Sequence, residues 1–89
     1  MVSEEYIEAV LIPSAPDAAR RVEDWLVSRR LRLMPLFEGR LLVQGDRQTF
    51  DTAFGVDLRS MGLPATLPVP AELRDLVTSI TVPSPRHYH

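Results

Sequence analysis

The residues in this chain that could do chemistry are few. His87-Tyr88-His89 places imidazoles two residues apart, which invites a metal-ligand reading. Zinc and similar ions need a third and fourth donor, and no Cys, His or acidic cluster stands near them. The pair therefore reads as solvated tail residues, and no metal is expected. Arg29, Arg30 and Arg32 form the basic cluster that could meet a phosphate. Positive charge at that point suits a helix C-terminus equally well, and this is the reading adopted. Trp25 could stack on a ligand, but beside Val22 and Leu26 at helical spacing it reads as core. There is no Gly-rich phosphate loop, no His–acid pair at helical spacing and no nucleophile motif. The chain is expected to be neither an enzyme nor a cofactor carrier.

Composition narrows the classes further. A chain of 89 residues holds one domain at most, and at that size only roughly 60–65% of the unfolded surface is buried on folding. Hydrophobic residues make up 45%, an ordinary globular content that argues against disorder away from the ends. With no cysteine there is no disulfide framework and no thiolate metal site. Twelve acidic residues face ten basic ones, a net charge of −2 that argues against a general nucleic-acid binder. All ten basic residues are arginine, which a codon bias explains without any function. No apolar run is long enough to span a bilayer, and Met-Val-Ser-Glu-Glu-Tyr lacks the features of a signal peptide. As written the chain reads as cytoplasmic.

The elements that must position these residues can be laid out in order. Tyr6–Ile12 is apolar and β-branched and predicts a strand. Ser14-Ala15-Pro16-Asp17 predicts a helix start with a capping box, followed by an inward face of Val22, Trp25 and Leu26. Leu31–Phe37 and Arg40–Gln44 predict a hairpin turning at Glu38-Gly39, with Pro35 at an edge or bulge. Asp46 is placed to cap a short helix carrying Phe50, Ala53 and Phe54, which Gly55 ends. Val56–Arg59 predicts a brief extended piece before a loop. Pro70 opens a third predicted helix with Leu73, Leu76 and Val77 on one face, and Ser79–Val82 a last strand. The order predicts an α+β, ferredoxin-like βαββαβ sandwich over residues 1–82, with an extended tail over 83–89.

In such a two-layer fold the helices cover one face of the sheet. The other should then alternate polar residues with buried ones. These strands do not: Tyr6, Val10 and Ile12 oppose Ile7, Ala9 and Leu11; Met34 and Leu36 oppose Leu33 and Phe37; Leu42 opposes Leu41 and Val43. An apolar face of that extent predicts a covering partner.

Several segments taken in order also resemble a known family. They are the Val22-Glu23-Asp24-Trp25-Leu26 helix, the Gly39 hairpin and Val43-Gln44-Gly45-Asp46 leading into a helix that ends Ala53-Phe54-Gly55-Val56. Leu67-Pro68-Val69-Pro70-Ala71-Glu72-Leu73 completes the set. From about Ile7 to Val82 the chain resembles the prodomain of sedolisin- or kumamolisin-type serine-carboxyl peptidases. The resemblance implies an intramolecular chaperone and temporary inhibitor whose partner, in cis or in trans, is the peptidase domain. It implies docking through the open sheet face, with residues drawn from Tyr6, Val10, Ile12, Met34, Leu36 and Leu42. It also implies that Pro83, Ser84, Pro85, Arg86, His87, Tyr88 and His89 run toward the substrate cleft. Release under acid would follow from protonation of interface carboxylates. The family pattern departs in that no peptidase domain follows in this sequence, and as part of a secreted precursor the domain would be exported. Two other readings fit the same apolar face: a self-associating ferredoxin-like dimer around a small-molecule site, and an adaptor that binds some other protein.

Overall fold

A computed structural model describes residues 6–83. In chain order these form β1 (Tyr6–Pro13), α1 (Ala18–Ser28), β2 (Arg32–Pro35), β3 (Leu41–Asp46) and α2 (Arg47–Phe54). They continue through α3 (Leu58–Met61), β4 (Ala65–Thr66) and β5 (Val77–Val82). The fold is α+β and ferredoxin-like: one antiparallel five-stranded sheet in the order β2-β3-β1-β5-β4, with α1 and α2 against one face. The two-residue β4 extends the sheet beyond β5 and so departs from the four-stranded pattern.

Alternation along the strands sorts the side chains. Ile7, Ala9 and Leu11 of β1, Leu41 and Val43 of β3, and Ile80 and Val82 of β5 are buried on the helix side. There they join Val22 and Leu26 of α1 and Phe50 and Phe54 of α2. Gly45 leaves room where β3 meets α2. A Cβ at that position would stand 2.8 Å from Leu31 Cδ2 and 3.5 Å from the Phe50 ring.

The start of α2 follows its local signals. Asp46 Oδ1 accepts from Thr49 N–H at 2.7 Å and from Thr49 Oγ1–H at 2.8 Å, and Gly55 ends the helix at φ 64°. The backbone bond from Thr49, then its hydroxyl, hold the Asp46 carboxyl below its ordinary range. Because the folded-state value is depressed, the cap's contribution is complete above the ordinary Asp range. It is lost as pH falls through the folded value. Asn caps as well as Asp but does not titrate. Asp46→Asn is therefore expected to leave the neutral-pH melting temperature nearly unchanged and to flatten its fall on acidification, as read by circular dichroism from neutral pH downward.

Four local expectations are corrected. Ser14 does not cap α1: the helix begins at Ala18, and Asp17 at its N-cap makes no side-chain cap bond. Ser14 Oγ–H instead donates to the Asp75 carbonyl at 2.9 Å, and its N–H to Leu76, tying the chain before α1 to the chain before β5. The second strand stops at Pro35, so Phe37 is not an inward strand residue. The bond from Leu36 N–H to the Arg40 carbonyl (2.7 Å) closes the turn, in which Glu38 and Gly39 both take positive φ, and Phe37 is 93% exposed. Val56–Arg59 is not extended. Asp51 Oδ1 accepts from Leu58 N–H at 3.0 Å and α3 forms there, with Leu58 buried. The third helix is one turn, Ala71–Leu73. Val77 belongs to β5, whose β-branched run pairs with β1.

Candidate functional site: the open face of the sheet

Strand register determines what the uncovered face presents. Met34 pairs with Leu42, Leu42 with Val10 and Val10 with Thr81, which in turn pairs with Thr66. Paired residues of an antiparallel ladder lie on one face, so these form a continuous row across all five strands. One step along the strands, Arg32, Gln44 and Glu8 form a second row. Within it Gln44 Nε2–H donates to Glu8 Oε2 at 2.7 Å. The Arg32 side chain has no hydrogen-bond or ion-pair partner among the described residues.

The residues expected at an interface from sequence are gathered on this side. Tyr6 and Met34 are each 53% exposed, Leu36 is exposed at the start of the β2–β3 turn, and Val10, Ile12 and Leu42 are half-buried. The apolar character is confined to the β2–β3–β1 half. Toward the other edge the face is hydroxylic, with Ser79, Thr81 and Thr66 in register. Sequence reasoning missed the polar row. Its signal was available, because Glu8 shares the parity of Tyr6, Val10 and Ile12 along β1, and Gln44 that of Leu42 along β3.

The other candidates sit elsewhere. Trp25 is half-buried on the helix side rather than fully in the core. Its ring lies 5.7 Å from Phe54, and its indole N–H donates to Glu72 Oε1 at 3.3 Å. Arg29 stacks on the Trp25 ring at 4.3 Å and reaches both Glu72 oxygens at 3.3 Å, so it joins α1 to the segment before β5 and is not simply a solvated helix end. Arg30, in the left-handed region at φ 64°, lines a polar cleft of about 600 Å³ between the end of α1 and the start of α2, together with Arg29, Asp46, Gln48 and Thr52. Arg32 is in β2, on the opposite face from these, so the three arginines do not form one patch.

Among the described residues no group of three or more His, Cys, Asp or Glu could hold a metal ion. No helix among them is long and apolar enough to cross a membrane. Of the expected cleft-directed tail only Pro83 is described; Ser84–His89, with His87 and His89, lie outside the described residues.

Fold and face together define the class as a small ferredoxin-like α+β domain with one sheet face covered by helices and the other, among the described residues, uncovered. Compared with protein-family models, curated proteins and solved structures, the chain matches none.

Proposed function

We propose that this domain is a prodomain-like inhibitor and folding chaperone of a sedolisin-type serine-carboxyl peptidase, docking through the open face of its sheet. The observation that carries this reading is the apolar strip Met34–Leu42–Val10, uncovered by either long helix and extended by Leu36 and Ile12. A contiguous apolar patch rimmed by polar residues is the usual signature of a protein interface. On this reading the catalytic Ser, Glu and Asp are the partner's, and the domain supplies surface rather than chemistry. Glu8, at the polar edge of the strip, is the carboxylate best placed to meet a partner cation. Loss of charge on interface carboxylates as a class under acid would loosen the complex.

Purified domain titrated against a peptidase of this class near neutral pH should inhibit at micromolar concentration or below. Activity should recover on acidification toward about pH 4, where carboxylates protonate. Absence of inhibition at micromolar domain against a matched enzyme overturns the proposal.

A further inference from the structure

The open face is self-complementary. Across β2, β3 and β1 at successive levels it presents Arg32–Gln44–Glu8 and then Met34–Leu42–Val10. At a third level Leu36 lies beside Arg40 through its backbone bond. Ile12, one residue beyond the Leu11–Leu41 pair, occupies the same level on β1. The β2 side therefore reads cation, apolar, apolar where the β1 side reads anion, apolar, apolar, with β3 as the line between them.

We propose that, without its partner, this face is covered by a second copy of the same chain, across a two-fold axis lying in the interface and running close to the direction of β3. Rotation by a half-turn about such an axis turns one sheet onto the other and exchanges β1 with β2. Arg32 of each copy then faces Glu8 of the other, Met34 faces Val10 and Leu36 faces Ile12. Leu42, Gln44 and Arg40, on the axis, meet their own counterparts, and Arg40, exposed at the turn, keeps Glu38 beside it at 3.7 Å. An isologous contact needs this reciprocity, and a random apolar face has no reason to place opposite charges at equal distances on either side of one strand.

The dimensions suit it. Adjacent strands stand about 4.8 Å apart and packed sheets about 10 Å apart, within reach of Arg and Glu side chains. Aligned sheets cross at about 30°, so the axis stands about 15° from the β3 direction, close enough to keep residues near it in register. The Arg32 side chain is without a partner among the described residues, and Glu8 uses one oxygen on Gln44. Both are exposed, so reversing them does not disturb the core.

The inference goes beyond the inhibitory reading and does not need it: an inhibitor of this kind would be held as a dimer until a peptidase competes for the same face. Sedimentation or light scattering of the whole chain across micromolar concentrations, with circular dichroism as the fold control, tests it. The wild-type chain is expected to dimerise. Arg32→Glu and Glu8→Arg singly should each weaken the dimer by about a hundredfold or more, since each sets like charges together twice. The double exchange, Arg32→Glu with Glu8→Arg, should restore it. A monomeric wild type, or a dimer indifferent to the single exchanges, overturns the proposal. A monomer that still inhibits the peptidase removes this inference alone, whereas a charge-sensitive dimer without inhibition removes the inhibitory reading alone.

Discussion

Replacing Met34 and Leu36 together by glutamate is expected to weaken peptidase inhibition by at least about a hundredfold while leaving the domain folded. Central apolar anchors of an interface typically contribute about 2 kcal/mol or more each, and every 1.4 kcal/mol is about tenfold in affinity. Burying two new carboxylates against an apolar partner adds a desolvation penalty in the same direction. Both side chains are exposed in the domain itself, and surface substitutions of this kind usually change stability by no more than about 0.5 kcal/mol. The check is a paired measurement of inhibition constant and melting curve. If Met34→Glu/Leu36→Glu unfolds the chain, the two residues are core and the face is not open. If it folds and inhibits like the wild type, docking uses another surface. The same variant should be monomeric if the two-fold contact forms, so inhibition is compared at concentrations where both chains are monomers.

Phe50→Ala is expected to have the largest effect on stability. Phe50 is fully buried at the start of α2, 5.6 Å from Phe54, against the place where β3 has only Gly45. Removing a buried phenyl ring costs about 3–5 kcal/mol, a large part of the about 5–15 kcal/mol that holds a typical domain together. Small domains lie toward the marginal end of that range. Chemical denaturation should show either a midpoint shifted strongly downward or no cooperative transition. A variant whose unfolding free energy falls by less than about 1 kcal/mol would mean that neighbouring side chains collapse into the space. Gly45 and Phe50 are coupled in this respect, because any Cβ added at Gly45 must displace Leu31 before it reaches the ring.

What could be read from sequence was what local chemistry decides. Asp46 and Gly55 bracket α2 because a cap acceptor and a left-handed stop need no information from elsewhere. The alternation of β1 and β3 separated helix-side from open-face residues because strand periodicity is two. The misreadings arise where distant residues compete for a group. Ser14 had the right identity for a cap, but its hydroxyl is taken by a carbonyl 61 residues away. Leu73, Leu76 and Val77 had helical spacing, yet pairing of Val77–Val82 with β1 and β4 left room for only one turn. Trp25 was placed inward, but Glu72 and Arg29 draw its polar edge to the surface. At the candidate site, the apolar members were legible singly, residue by residue. Their arrangement into rows was not, because register is set by pairings that join β1 to β3 and β5.

The central position of β1 carries a kinetic consequence. Its neighbours in the sheet are β3 and β5, so Val10 contacts Leu42 on one side and Thr81 on the other. Almost the whole chain must be closed into a loop before the second of these contacts can form. High contact order of this kind slows folding. Until β5 arrives, one edge of β1 is an unpaired apolar strand, the kind of edge through which chains associate. The chain should thus fold more slowly than a helical domain of the same length. Its most aggregation-prone species would be the intermediate in which β2, β3 and β1 have joined and β5 has not.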